Sequence, residues 1–437
     1  MVHYFMHCLM HYFLRIFLNI KSKLSLKLKY KLEYNFIIYL IGKVTSAGVV
    51  VGSIPLFIKC FGVEEYGEFI YVYTTFLMLL AGSTGWIVQG VLRFFTLENN
   101  RGKISSEAFQ MTYKSFLVSA LLLSVFFLIS EIHFNVIFLT VGCLFFSFFY
   151  SVNLSIKQAV LKSKVYIFAD ISRALTFLVV PLLMYYFLPT LEGIYSLLFG
   201  VLLSYIVGLC VLTRCHLPKP NLNFKEKTRW SKIFFKYGFP LSIWMFFSPT
   251  TNGVDRYIIE FSLGTIVLAK YSAIFDIVFK VFSSLAVPFN SIVQPLLILN
   301  YNEKNFAGYK KTMRKSITYL SIMFILFLGG LYLFKNFIIC TYLNFCVDFE
   351  KLEKLIIPFA VSSYIWQLAI LMQKNMEVSN RTIETSVYML IIVVLTLLLG
   401  IILVPRYGMF ASAYISLLCS VVYLILIVFG TKKHFKQ

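Results

Sequence analysis

Apolar stretches of 18 or more residues recur along the whole chain, and each is long enough to cross a hydrocarbon core of about 30 Å as a helix. In such a core the backbone must satisfy its own hydrogen bonds, so the stretches are either helices or strands of a closed barrel. Barrel strands alternate polar and apolar residues. The run LIIVVLTLLLGIILV at 390–404 does not alternate. The chain therefore reads as an all-α integral membrane protein. Composition agrees: 59% of the 437 residues are hydrophobic and 14% are charged, with a mean hydropathy of +0.82. About a quarter of a soluble chain is charged.

Twelve candidate spans lie near 36–58, 68–92, 115–131, 134–154, 167–188, 191–212, 237–259, 263–290, 317–337, 355–373, 384–404 and 408–430. The connectors between them alternate in charge. Before the first span stand Arg15, Lys21, Lys23, Lys27, Lys29 and Lys31; Arg93, Arg101, Lys103 and Lys114 follow the second, and Lys157, Lys162, Lys164 and Arg173 follow the fourth. The longest connector, after the sixth span, carries Arg214, Lys219, Lys225, Lys227, Arg229, Lys232 and Lys236. Lys304, Lys310, Lys311, Arg314 and Lys315 follow the eighth, Lys374 and Arg381 the tenth, and Lys432, Lys433 and Lys436 close the chain. The remaining connectors are short and neutral, acidic or mixed, holding Glu64, Glu65, Glu68, Glu131, Glu192 and the stretch Asp348 to Lys354. Loops rich in Lys and Arg stay in the cytoplasm, so both termini are expected there. The formal charge of +21 is then a topology signal rather than a nucleic-acid footprint.

The almost unbroken apolar sequence from Phe261 to Leu299 tests this count. Two spans there would place the Lys304–Lys315 cluster outside. One long helix, bent at Pro288 or Pro295, keeps the charges in register. The first 35 residues form a basic N-terminal segment in which His3, His7 and His11 share one helix face. That spacing fits a metal site, but the segment reads as interfacial or as an early start, with Met6 and Met10 as internal alternatives; no signal-peptide cleavage site follows it. Eight cysteines are scattered singly, and none makes a CxxC pair. They read as small apolar packing residues, with neither metal nor disulfide implied.

The basic connector divides the chain into an N-terminal six-helix lobe (36–213), a linker (214–236), a C-terminal six-helix lobe (237–430) and a tail (431–437). IKCFGVEEYGEFIYVYTTF in the first half aligns with IIEFSLGTIVLAKYSAIFDI in the second when Gly62 is set on Gly264. That places Gly67 on Ala269 and Phe69 on Tyr271. A parallel repeat of this kind suits two lobes rocking around a central cavity.

Three motifs carry a family resemblance. FGVEEYGEFIYVYTTF resembles the turn after the first span of bacterial polysaccharide flippases, the Wzx-type O-antigen transporters of the multidrug/oligosaccharidyl-lipid/polysaccharide exporter superfamily. GVDRYIIEFSLGTIVLAKYSAIFDI resembles that family's junction of the seventh and eighth spans, and VPRYGMFASAYISLL resembles the opening of its last span. Met409-Phe410-Ala411 departs from the pattern, standing where the family usually has a second glycine. The resemblance covers about 36–430. It implies a non-enzymatic flippase in the bacterial inner membrane, moving an undecaprenyl-diphosphate-linked oligosaccharide from the cytoplasmic to the periplasmic face. It also implies coupling to protons or sodium and allows polymerase or chain-length partners; no cofactor is implied. A drug or lipid exporter of the same superfamily is the alternative.

A charge at helix centre costs about 2.5–3.5 kcal/mol to insert, so such residues face a cavity or one another. The cationic candidates for substrate binding are Lys43, Arg93, Arg256, Lys270 and Lys280. Asp276 and Asp255 are the candidates for ion coupling, with Asp276 the deeper. Asp276 and Lys280 stand at i and i+4 and can pair. Together with Lys270 they form a strip with a positive surplus. Asp255 and Arg256 point about 100° apart; they are expected close to the outer turn, one toward the lumen and one toward a neighbour, with Arg256 bridged to Glu260. Asp170 and Arg173 are expected to pair at the interface. No long loop holds a catalytic cluster, as a polymerase or glycosyltransferase would need, and neither a GxxxxGK[ST] phosphate loop nor a Gly-rich dinucleotide motif is present.

Overall fold

The computed structural model describes residues 42, 45–46, 48–95, 101–160, 162–213, 229–379 and 381–432. The N-terminal histidines, Lys43 and residues 214–228 of the basic connector lie outside the described residues. All regular structure described is helical. The helices are α1 (Gly48–Phe61), α2 (Val63–Phe94), α3 (Arg101–Ile129), α4 (Phe134–Ala159), α5 (Ser163–Phe187), α6 (Gly193–Thr213), α7 (Arg229–Leu263), α8 (Thr265–Phe275), α9 (Val281–Asn302), α10 (Phe306–Asn336), α11 (Phe349–Val378), α12 (Thr382–Tyr407) and α13 (Met409–Lys432).

Among the described residues nine helices are long and apolar enough to cross a membrane: α2 to α6, α10 to α13. They match nine of the twelve expected spans. The other three are the first span, described as the shorter α1, the seventh, α7, and the eighth, α8 with α9. The last two carry the buried ion pair between Arg256 and Asp276. Apolar side chains elsewhere are turned outward, among them Leu121, Ile129, Phe138 and Phe168, as a surface solvated by acyl chains requires.

The stretch after Gly264 is one unbroken helical run from Thr265 to Asn302, as the charge pattern demands. A π-helical turn at Asp276–Lys280 interrupts its α-helical geometry. α7 also starts earlier than the expected span, at Arg229, so that the end of the basic connector is helical.

α2 packs against α3, α4, α6, α7 and α8. Gly62 and Gly264 reverse the chain ahead of α2 and α8 with nearly the same backbone, φ 89° and ψ 165° against φ 86° and ψ 168°. That region of backbone space is open in practice only to glycine. The two positions aligned in the sequence therefore share one local structure. Gly67 permits the close approach of the two segments: a Cβ there would meet the Thr265 carbonyl oxygen at 2.5 Å.

The turns before α2, α4, α6, α8 and α11 gather at one end of the bundle. There Glu65 accepts a hydrogen bond from Ile194 N–H at 3.2 Å, and Tyr71 donates to Ser130 at 3.3 Å. At the opposite end Glu107 accepts from Trp230 N–H at 3.1 Å, and Arg381 donates to the Gly430 carbonyl at 2.9 Å.

The cysteines require a correction. Cys143 and Cys419 are buried packing residues, but Cys340 and Cys346 form a disulfide in the connector between α10 and α11. Cys340 lies on the π-helical turn Phe337–Tyr342, Cys346 opens the short helical turn Cys346–Asp348, and the chain turns between them at Asn344, φ 60°.

Candidate functional site

α7 carries Asp255 and Arg256 as neighbours, and the helical twist sends their side chains in different directions. Both are deeply enclosed, at 2% and 4% exposure. They stand about two turns before the end of α7, about 11 Å from the Gly264 turn, and are enclosed by the protein rather than on its surface.

Arg256 reaches across to the run that follows Gly264. Its Nη2 donates to Asp276 Oδ1 at 2.6 Å and its Nη1 donates to Thr74 Oγ1 of α2 at 3.1 Å, with the guanidinium over the Phe275 ring at 5.7 Å. Lys280 Nζ donates to the other carboxylate oxygen of Asp276, Oδ2, at 2.7 Å. One carboxylate thus holds two cations, leaving the cluster with one positive charge. Asp276 is 6% exposed, whereas the Lys280 side chain is 43% exposed and can meet something outside the protein core. Arg256 Nε has no partner among the described residues, which leaves the buried guanidinium a further donor.

The expected Asp276–Lys280 pair is therefore present, held on the π-helical turn. The expected bridge from Arg256 to Glu260 is not. Glu260 Oε1 accepts instead from Thr265 Oγ1 at 2.8 Å across the turn, and the guanidinium is taken by the buried Asp276. An unpaired buried carboxylate costs far more than a half-exposed one, so Asp276 wins the competition. Lys270 is not part of the strip: it pairs with Asp348, near the outer turns, and Arg256 supplies the second cation in its place. Arg93 is exposed at the far end of α2, with its guanidinium 5.7 Å from the Phe94 ring, away from the cluster. Asp170 and Arg173 do pair, at 3.4 Å, but inside the protein: Asp170 is 4% exposed, Tyr150 donates to it, and Arg173 lies over the Tyr150 and Tyr205 rings.

Asp255 faces a different space. Tyr271 donates to its Oδ2 at 3.2 Å, and Ser412 donates to the Tyr271 hydroxyl at 3.2 Å. Asp255 Oδ1 is buried and has no hydrogen-bond partner among the described residues. Asp255 lines a small cavity of about 10 Å³ together with Phe279, Trp366, Thr396, Ser416, Cys419 and Ser420, which is room for one water-sized guest. Ser362 is bonded to both Ser416 and Ser420, at 3.0 and 2.8 Å. These hydroxyls were not picked out from the sequence. Their signal was legible there: Ser412, Ser416 and Ser420 recur every fourth residue and so form one polar stripe on an otherwise apolar helix.

A profile of polysaccharide biosynthesis proteins matches residues 32–299. The chain belongs to that family. The matched segment contains Asp255, Arg256, Asp276 and Lys280, while the serine stripe of α13 lies beyond it. No curated protein sequence matches the family member described here significantly.

Among solved structures, the fold is similar to that of the lipid II flippase MurJ in an inward closed conformation, with a TM-score of 0.67 and 15% identity over 93% of this chain and 88% of that one. It is also similar to a multidrug resistance MATE family transporter of the MOP superfamily. The inward-facing form gives a TM-score of 0.65 at 12% identity, covering 91% of this chain and 98% of that one. The outward-facing form gives 0.65 at 11%, covering 91% and 94%. These neighbours are a flippase and transporters, not enzymes. The polysaccharide biosynthesis protein thus has the MurJ and MATE fold.

Proposed function

We propose that this protein is a flippase for a lipid-linked oligosaccharide, carrying an undecaprenyl-diphosphate-linked O-antigen or capsule repeat unit from the cytoplasmic to the periplasmic face of a bacterial inner membrane. The observation that carries the reading is the cluster in which Asp276 is shared by Arg256 and Lys280. It holds a surplus positive charge at membrane depth, where a bare ion is costly and calls for an anionic guest. A diphosphate arriving beside Lys280 competes with Asp276 for that lysine and draws on the reserve donor of Arg256. Because the three residues come from α7 and from the run after α8, and Arg256 also holds Thr74 of α2, loosening the cluster loosens the contact between the two halves. Six helices on each side, rocking about this contact, give alternating access.

Two features support an orientation with the Gly62 and Gly264 turns outside. The basic connectors fall at the other end, and the Cys340–Cys346 disulfide sits at the Gly264 end, consistent with an oxidising compartment. Asp255 is the better candidate for a coupling ion than Asp276. Both oxygens of Asp276 are taken by cations, whereas Asp255 offers a free oxygen to a cavity of one-ion size surrounded by hydroxyls. A sodium ion or a proton would neutralise it there.

The test is complementation of a deletion strain. Loss of surface polysaccharide, with single repeat units accumulating on their lipid at the cytoplasmic face and no rescue by Lys280→Gln at wild-type protein level, is the expected outcome. A second reading, a drug or lipid exporter, is favoured by the MATE neighbours. It predicts intact polysaccharide and altered dye efflux in the same strain.

A further inference from the structure

At the end of the bundle marked by the Gly62 and Gly264 turns, α1 and the α10–α11 connector enclose a cavity of about 960 Å³. It lies apart from the Arg256–Asp276–Lys280 cluster. Its walls are mostly apolar, with Pro55 and Leu56 on one side and Phe337 and Phe345 on the other, and two lysines, Lys59 and Lys270, stand in its lining with Asp348. Leu56 and Phe337 are 40% and 54% exposed, so the cavity opens sideways, toward where acyl chains run, as well as toward the end of the bundle. Along α1 it descends from Gly62 to Gly52, about 15 Å of helix. Lys270 stands about 8 Å along the helix from the Gly264 turn, within the reach of a lysine side chain from that end of the bundle.

The charge arrangement is asymmetric. Lys59 is exposed and makes no ion pair among the described residues; Lys270 is held by Asp348. The rest charge is one positive unit. Asp348 is kept in position by the connector, whose ends are tied by the Cys340–Cys346 disulfide and whose Tyr342 donates to the Val51 carbonyl of α1 at 3.0 Å.

We propose that this cavity is a binding site for the phosphate headgroup of a membrane lipid, with the headgroup between Lys59 and Lys270 and the chain along Leu56, Pro55 and Phe337. A lipid phosphate brings the negative charge that completes the site, and the sideways opening onto apolar wall selects a lipid over a free ion. Asp348 is the internal competitor: it occupies Lys270 when the site is empty and gives the lysine up when phosphate arrives. The site stands on its own lining and does not depend on the transport reading.

The test is thermal unfolding of the full-length protein in neutral detergent, titrated with dioleoylphosphatidylglycerol, with undecaprenyl phosphate and with inorganic phosphate. Both lipids, or undecaprenyl phosphate alone, are expected to raise the Tm, the second result marking the isoprenoid phosphate as the resident lipid. Inorganic phosphate is expected to have no effect. Lys59→Gln removes an exposed side chain and leaves the fold intact; it is expected to weaken the response roughly fivefold in lipid concentration, and adding Lys270→Gln to weaken it further. Asp348→Asn frees Lys270 and is expected to tighten it. An equal response to inorganic phosphate, an unchanged response in Lys59→Gln, or a weaker one in Asp348→Asn would overturn the site. Lys280→Gln separates the two readings: it removes transport if the central cluster acts as proposed, and leaves the lipid response as it was.

Discussion

Arg256 and Asp276, twenty positions apart in the chain, meet at 2.6 Å across the Gly264 turn, and both are buried. Breaking such a pair from one side strands a charge in a place where water cannot reach it, at a cost of roughly 3–5 kcal/mol. Arg256→Leu is therefore expected to lower the unfolding temperature strongly, since Asp276 keeps only Lys280. Replacing both by leucine removes the stranded carboxylate along with its partner. The double variant is expected to be more stable than either single change, as read from thermal unfolding in detergent. Additive losses would mean that the two side chains contribute independently.

Asp255 predicts an ion response. Asp255 lines a cavity of one-ion size, and Asp255→Asn keeps the shape and an acceptor for Tyr271 while removing the charge. The wild-type protein is expected to gain thermal stability with added sodium or on acidification, whichever ion it takes, because a ligand that binds the folded form stabilises it by mass action. Asp255→Asn is expected to be insensitive to that ion. Asp276→Asn disturbs the cluster but leaves this site alone, so the variant is expected to keep the response. A response lost in Asp276→Asn and kept in Asp255→Asn would return the coupling role to Asp276.

The two turn glycines give a test free of packing effects. Around Gly62 and Gly264 a Cβ would meet nothing within 4 Å, so only the backbone resists a side chain there. At φ near 89° and 86° that resistance is about 1–3 kcal/mol. Gly62→Ala and Gly264→Ala are expected to destabilise by similar amounts, in line with the equivalence of the two turns. A neutral effect at one of them would break that equivalence.

Which parts of this arrangement were legible beforehand follows from how local each relation is. The Asp276–Lys280 pair is set by helical spacing alone, and the correspondence of Gly62 with Gly264 by a repeated local motif, so both were readable from residue order. The partner of Arg256 was not: Glu260 satisfies the same spacing rule, and only the fold decides that a buried Asp276 outbids it. Lys270 was misplaced into the central strip for a related reason, since its partner, Asp348, comes from a connector 78 positions away. The serine stripe at 412, 416 and 420 was in plain view, but an apolar span invites attention to charges rather than hydroxyls. The Cys340–Cys346 pair was hidden because its spacing matches no known pattern, and the thiols meet only through a turn at Asn344 that residue order does not announce.

That disulfide supports the last prediction. The two cysteines are six positions apart, and closing so short a loop restricts the unfolded chain by only about 2 kcal/mol in the loop-entropy picture. Reduction, or Cys346→Ser, is therefore expected to leave the protein folded, with a drop of a few degrees in Tm. The local effect is expected to be larger. Cys346 opens the short helical turn that ends at Asp348, and Asp348 holds Lys270. Once the loop is free, that carboxylate spends less time on the lysine. A thiol-reactive probe of impermeant type should label the reduced pair from the outside of intact spheroplasts, which reports orientation in the same experiment. Labelling only after the membrane is opened would put the Gly62 and Gly264 end in the cytoplasm and reverse the proposed topology.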